Sequence, residues 1–188
     1  DKIEAEGQEM INLLEGRVKR MHDLIDGVLE YSRVGRIREE QVEINLNELV
    51  EEVTGFIGKP ENFLITVEKK LPTVCLERTR IQQLFQNLIS NAIKYNDKTQ
   101  GEVRISCERD GDFWRFRVSD NGPGIDSKYF EKIFQIFQTL AARDDVDSTG
   151  VGLSLVKKIV EMYGGRVWVE SELGKGATFL FTLPVHKG

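Results

Sequence analysis

Asn87-Leu88-Ile89-Ser90-Asn91-Ala92-Ile93-Lys94-Tyr95 closes a segment in which Ile81, Leu84, Phe85, Leu88, Ile89 and Ala92 recur at steps of three and four. That spacing predicts an α-helix over 78–95 with one apolar face turned to a core. Asn87 and Asn91 lie one turn apart on a second, polar face, and Lys94 follows a turn later. Carboxamide oxygens are hard, neutral ligands of the kind Mg2+ accepts beside its waters and substrate phosphates. Lys94 can supply positive charge to such phosphates, and Tyr95 a surface on which a base can stack. The same residues would also serve as the plain polar stripe of a surface helix.

Downstream of this helix, strands are predicted over 102–109 and 113–120, joined by the hairpin turn signal Asp110-Gly111-Asp112. A short helix follows over 126–134, then a polar loop to 148, a helix over 150–163 and a last hairpin of 166–170 with 178–183. Upstream, the alternation in Val42-Glu43-Ile44-Asn45-Leu46 reads as a strand, followed by a helix to 56 or 57 and strands over 63–69 and 73–76. Helices interleave with strands, yet hairpins are present. The fold class is therefore α+β, a two-layer α/β sandwich whose mixed sheet carries helices on one face.

Ahead of it runs a long amphipathic helix over 3–34, with Ile11, Leu14, Val18, Met21, Ile25 and Val28 at helical spacing and Leu13, Leu24, Leu29 and Tyr31 broadening the apolar side. A lone helix cannot bury so broad a face, so it needs partner helices. Gly7, Gly16 and Gly27 weaken it by ~1 kcal/mol each relative to alanine without changing its type. The pattern changes near Arg38, which divides the chain into 1–38 and 39–188.

With 188 residues, 40% of them hydrophobic, the chain can bury the core of one domain plus an appendage. Its 31 acidic residues outnumber the 26 basic ones, and a net charge of -5 offers no general attraction for nucleic acid or an anionic membrane. Any anionic ligand must be held locally. Cys75 and Cys107 have no metal-type or redox-type spacing and are expected as buried free thiols in a reducing compartment. No apolar run approaches the ~20 residues of a spanning helix, and the first residues have no signal character, so a cytoplasmic location is expected. The opening in mid-pattern, without methionine, suggests a piece of a longer protein.

Two glycine clusters carry further chemistry. In Asp120-Asn121-Gly122-Pro123-Gly124-Ile125 a strand ends in a carboxylate and runs into glycines. Asp120 could accept a hydrogen bond from a nucleobase amino group while the glycines let backbone lie against the ring. An ordinary turn would use the same residue types. In Thr149-Gly150-Val151-Gly152-Leu153 a glycine-rich entry precedes a helix, where unpaired N–H groups and the helix dipole favour a polyphosphate. It is neither a Walker P-loop nor a Rossmann fingerprint, since the Lys-Ser/Thr ending, the third glycine and the preceding strand are missing. A helix merely started by glycine remains the alternative.

The order settles more than any cluster does. The segment 87–95, then Asp120-Asn121-Gly122-Pro123-Gly124-Ile125, Ile133-Phe134-Gln135-Ile136-Phe137, Gly150-Val151-Gly152-Leu153 and Gly174-Lys175-Gly176-Ala177-Thr178-Phe179 resembles the N, G1, F, G2 and G3 boxes of sensor histidine kinases. The resemblance covers about residues 15 to 185. It implies the Bergerat-type ATP-binding fold shared with gyrase-type ATPases, with ATP and Mg2+ as cofactors. Asp120 would meet the adenine amino group, with Gly122, Gly124, Ile125 and Tyr95 lining the base pocket. Asn91 would hold Mg2+ with Asn87 beside it, and Asn87 and Lys94 would be the catalytic pair. Thr149, Gly150, Val151, Gly152 and Leu153 would close on the phosphates, with Phe137 and Thr178 at the edge. Phe134 matches the F box but also suits a core, and Gly174 and Gly176 would shape the last hairpin. A lid is implied over 138–148, with Asp144, Asp145 and Asp147 as solvated surface.

Superfamily members that hydrolyse ATP resemble this helix but place a water-activating glutamate where this chain has Asn87. An amide is no general base, which favours a kinase over an ATPase. The segment 21–33, with His22, resembles the second helix of the family's dimerisation hairpin. The acceptor histidine of the family lies on the first helix, so His22 reads as a solvated helix-face residue, and His186 has no supporting context. The resemblance thus implies transfer of the γ-phosphate to a histidine on a helix not among these residues, then to a response regulator receiver domain, with homodimerisation through the hairpin. Neither nucleic acid nor membrane contact is expected of this segment, and membrane attachment of the full-length protein is left open. The alternatives are a non-catalytic nucleotide-sensing interaction module and an anti-sigma-type serine/threonine kinase; the dimerisation-type helix counts against the latter.

Overall fold

The structure, a computed structural model, describes residues 2–58, 60–139 and 149–185. Helix α1 (Lys2–Arg33) is followed by β1 (Val42–Asn45) and α2 (Leu46–Ile57). The Asn45 side chain caps α2 by accepting from the Asn47 N–H at 3.1 Å. Then come β2 (Phe63–Val67), β3 (Thr73–Leu76), α3 (Arg78–Lys94), β4 (Gly101–Asp110) and β5 (Phe113–Asp120). Helix α4 (Gly152–Met162) and the hairpin of β6 (Val167–Glu172) and β7 (Gly176–Pro184) complete the order.

Five strands form one mixed sheet in the order β2-β4-β5-β7-β6, with β2 parallel to β4 and the remaining pairs antiparallel. The expected mixed sheet with helices on one face is present. β1 and β3 do not join it; they pair with each other in a separate two-stranded sheet. Strand alternation turns Val103, Ile105, Phe116, Val118, Phe179 and Phe181 to one face, where α3 and α4 pack. Phe85 of α3 sets its ring edge-on against Phe116 and Phe181, which stack on each other at 5.0 Å. The opposite face is polar, with Arg104 paired to Glu102 and Arg115 to Glu108.

Three expectations need correction. The helix expected over 126–134 is instead two 3-10 turns, Ser127–Tyr129 and Lys132–Phe134. Asp126 caps the first through Lys128 N–H, and burial of Ile133 and Phe134 holds the second, so tertiary contacts override the short helical pattern. Helix α4 begins at Gly152 rather than 150, because Gly150 takes a left-handed φ of 67° that no α-helix contains. The cysteines are free but half-buried rather than buried. Cys75 alternates with the buried Val74 and Leu76 and so points away from the core, while burial pushes the Cys107 thiol up to about 12 and keeps it inert.

Among the described residues, the C-terminal part of α1 packs against α4. Ile11, Leu14, Val18, Met21 and Ile25 stand exposed, whereas Val34, just past the helix, is fully buried. Lys158 of α4 donates to the Tyr31 carbonyl at 2.6 Å and sits 4.1 Å above its ring. Glu30 accepts from the Gln83 side chain. Beyond the helix, Glu39 lies 3.7 Å from the buried Arg80. Among the described residues no helix is long and apolar enough to cross a membrane.

Candidate functional site

Asp120 is the last residue of β5, and its register partner Val103 is fully buried on the helix-bearing face. Its Oδ1 accepts from Gly122 N–H at 2.8 Å and from Ala177 N–H at 3.3 Å. Burial raises its pKa, and the same two N–H groups oppose the rise. Both bonds end on Oδ1, so among the described residues Oδ2 is available to a donor arriving from the site.

The glycine-rich segment beyond Asp120 lies on the β6–β7 hairpin. Pro123 O accepts from Gly174 N–H at 2.7 Å, and Ile125 N–H donates to Ser171 Oγ at 2.8 Å. Ser171 Oγ in turn donates to Gly176 O at 2.7 Å. Gly174 and Gly176 do shape the hairpin, and through it they brace the carboxylate.

The facing wall is α3. The Asn87 side-chain amide donates to Gln83 O at 2.8 Å, which turns its Oδ1 toward Gly152. A methyl group on Gly152 would stand 2.6 Å from that oxygen and would push the Asn87 amide out of its place at the start of α4. Gly150 O accepts from Phe137 N–H at 2.9 Å, and Phe137 itself has a φ of 66°, a left-handed value uncommon outside glycine. Thr149 Oγ1 accepts a long bond, 3.4 Å, from Val151 N–H, and the buried Val151 side chain packs against Gly27 of α1. Leu153 packs at the border of the core. Asn91 is half-buried one turn after Asn87, Tyr95 N–H caps α3 on Asn91 O, and Lys94 Nζ lies 6.0 Å from the Tyr95 ring.

Asp120, Gly122, Gly124 and Ile125 are thus assembled at the hairpin, and Asn87 meets Gly152 at the start of α4. Thr178 is not assembled with them: it bonds Ser119 Oγ at 2.9 Å on the opposite face of the sheet, the side away from Phe179. Ala177 takes its place through a main-chain N–H. Ala177 lies inside the 174–179 cluster, yet its role goes unread because a backbone donor has no side-chain identity; Ser171 lies outside every cluster, and an isolated hairpin serine is unremarkable. The lid expected over 138–148 lies outside the described residues from 140 onward, and so do Asp144, Asp145, Asp147 and His186. His22 is exposed on α1, with Nδ1 3.2 Å from Asp26.

For Mg2+, the donor set is consistent with an ion that takes few protein oxygens and completes its shell with water and phosphate. Asn87 and Asn91 offer carboxamides on one face, and no cluster of three or more His, Cys, Asp or Glu competes for a metal among the described residues.

The raised Asp120 pKa makes a pH prediction. A carboxylate accepts from an amino group more strongly than the carbonyl of the protonated acid, so ADP affinity should fall on acidification, beginning above the ordinary aspartate value of 3.8. In the free protein the sign is opposite: ionising a desolvated carboxylate costs stability, so that cost grows as pH rises through the raised pKa. Calorimetric titrations from about pH 8 down to the ordinary aspartate value of 3.8 check the binding arm, and an affinity that stays flat over the whole range would contradict it.

Comparison with known proteins fits this geometry. The family described as "Histidine kinase-, DNA gyrase B-, and HSP90-like ATPase" matches residues 76–187. "Cyanobacterial phytochrome A" of Nostoc is 42% identical over 190 residues, covering 98% of this chain and 24% of that protein. An "Adaptive-response sensory kinase SasA" of Synechococcus is 36% identical over 179 residues, covering 91% and 47%. The solved structure of full-length ShkA in complex with AMPPNP aligns with a TM-score of 0.74 at 27% identity, covering 94% of this chain and 38% of that one. Histidine kinase ThkA in complex with response regulator protein TrrA aligns at 0.71 and 30% identity, covering 94% and 50%. The chain belongs to the histidine kinase-, DNA gyrase B- and HSP90-like ATPases. Within that family it corresponds to the catalytic ATP-binding part of a sensor histidine kinase, and it spans about a quarter of the length of the phytochrome relative.

Proposed function

We propose that this chain binds Mg-ATP between the Asp120 turn and the Asn87–Gly152 contact and directs the γ-phosphate to a histidine on a helix outside these residues. Onward transfer to a response regulator aspartate follows. The observation that carries the reading is the anchored Asp120 carboxylate, which keeps one oxygen for a donor at the end of the sheet.

In this reading Asp120 Oδ2 accepts from the adenine amino group, and Tyr95 and Ile125 line the base. Asn91, with Asn87 beside it, offers oxygens to Mg2+, which when bound would neutralise phosphate charge. Lys94 adds a cation, and Gly150 and Gly152 bring backbone close to the phosphates at the start of α4. Asn87 cannot take a proton from water, so the phosphoryl group is kept for an imidazole that attacks in line. Residues 1–38 supply part of a dimerisation hairpin and 39–188 the ATP-binding domain. The exposed apolar stripe of α1 supports that division. The sensory-kinase relatives and the ThkA complex support the response regulator as partner. The net negative charge gives no support to nucleic acid or membrane contact, and a cytoplasmic location belongs to the same reading.

The test is phosphate transfer. The 188-residue chain should not label itself from radioactive ATP, and His22→Ala should leave ADP affinity unchanged. A longer chain that includes the upstream helix should acquire acid-labile phosphate on a histidine of that helix. Label on His22 would overturn the assignment of α1. A longer chain that binds ATP without ever labelling would favour a nucleotide-sensing module instead.

A further inference from the structure

Asn121 takes no part in the site as described, yet every polar atom of its side chain is engaged. Its Oδ1 accepts from Glu102 N–H at 2.8 Å and from the Asn96 side-chain amide at 2.8 Å, and its Nδ2 donates to Gln100 O at 2.9 Å. These partners belong to the segment that leaves α3 and enters β4, the stretch directly after Lys94 and Tyr95.

The bond to Glu102 has a geometric consequence. The β4–β5 ladder pairs Val103 with Asp120, and one step further Asn121 N–H still donates to Glu102 O at 3.3 Å. In a continuing ladder Glu102 N–H would return a bond to the Asn121 main-chain carbonyl. Here it goes to the side-chain oxygen instead. The ladder is closed by a side chain, and the backbone is released to turn at Asn121, which lets Gly122 N–H fold back onto Asp120 Oδ1.

The bond to Asn96 reaches the other wall. Asn96 is itself held in a turn, its Oδ1 accepting from Lys98 N–H at 2.9 Å. Tyr95 and Asn96 backbone lies close to Gly122, within 3.7 and 3.8 Å of where a β-carbon would stand. One carboxamide therefore ties the end of α3 to the Asp120 turn.

We propose that Asn121 is a positioning residue of the base pocket: its side-chain oxygen sets the distance and register between Tyr95 on one wall and Asp120 on the other. Its side-chain polar atoms are all taken up by protein partners and it acts through Asp120 and Tyr95, so the proposal rests on the nucleotide reading given above. Loss of the oxygen removes two accepted bonds at once and leaves the Asp120 carboxylate in a turn that is no longer pinned to α3. Asn121→Asp keeps an oxygen for both donors, while its second oxygen faces the Gln100 carbonyl as acceptor against acceptor, so it restores the two accepted bonds at a cost.

The experiment is calorimetric binding of MgADP to the 188-residue chain and to Asn121→Ala, Asn121→Asp and Asp120→Ala, each checked for folding by circular dichroism. Asn121→Ala should bind at least fivefold more weakly, and Asn121→Asp should recover part of that loss, binding between Asn121→Ala and the parent, a partial rescue that a general loss of stability would not follow. Asn121→Ala within twofold of the parent, or Asn121→Asp as weak as Asn121→Ala, overturns the proposal. Should Asn121→Ala fail to fold, Asn96→Ala replaces it, since it removes one bond accepted by Asn121, together with the exposed Lys98 turn bond, and leaves those to Glu102 and Gln100. Weaker MgADP binding by folded Asn96→Ala supports the brace, and unchanged binding overturns it. A loss in Asp120→Ala without one in Asn121→Ala discards the brace alone. Full binding by Asp120→Ala discards the nucleotide reading itself.

Discussion

Asp120→Ala is expected to weaken ADP binding by at least ~1.5 to 3 kcal/mol, roughly tenfold to a hundredfold, the range of a hydrogen bond to a charged group. Two effects add. The acceptor proposed for the adenine amino group disappears, and the N–H groups of Gly122 and Ala177 lose the oxygen that holds them. Asp120→Asn separates the two. Its carbonyl can keep the Gly122 and Ala177 bonds, but its amide then presents a donor to a donor, so binding should fall while the melting temperature stays near that of the parent. Calorimetry with ADP and a thermal melt of each variant make the measurement. Parental affinity in both variants would remove Asp120 from the site.

Phe116→Ala carries the largest expected loss of stability, about 3 to 5 kcal/mol. Phe116 is fully buried on β5, stacked on Phe181 of β7 with planes 9° apart, and Phe85 of α3 meets it edge-on at 6.1 Å. Truncation removes the apolar transfer term and leaves a cavity between sheet and helix that neither neighbour can fill without leaving its own packing. A loss of that size is a large share of the total for a domain of this kind. Urea titration should show a lower midpoint with little change in slope, and a midpoint shift worth under 1 kcal/mol would contradict the central place given to the aromatic cluster. Because Phe85 lies two residues before Asn87, the surviving folded fraction should also hold the Asn87–Gly152 contact less firmly.

Much of this molecule was legible along the chain. The apolar spacing in α3 placed Ile81, Leu84, Phe85, Leu88, Ile89 and Ala92 in the core, where each is buried. The Asp110-Gly111-Asp112 turn joins β4 to β5 as expected, with Gly111 at φ 61°. The order of the boxes carried the family. What went unread was of a different kind. The 126–134 segment has a helical pattern too short to stand without support, and burial of Ile133 and Phe134 chose 3-10 turns instead.

By itself the sequence determined the helices with strong periodicity, the hairpins, the mixed character of the sheet and the identity of the glycine clusters. Those are local properties, decided by side-chain spacing and by turn residues a few positions apart. Only the tertiary structure decided that Thr178 faces away from Asp120 while Ala177 donates to it, 57 residues along the chain. It alone decided that β1 and β3 form their own sheet, that Gly150 delays α4 to Gly152, and that the end of α1 packs against Val151 beside Asn87. Each of these turns on strand register or on close approach between distant segments. A one-residue change of register reverses which face a strand residue occupies, and no short window of sequence contains both partners.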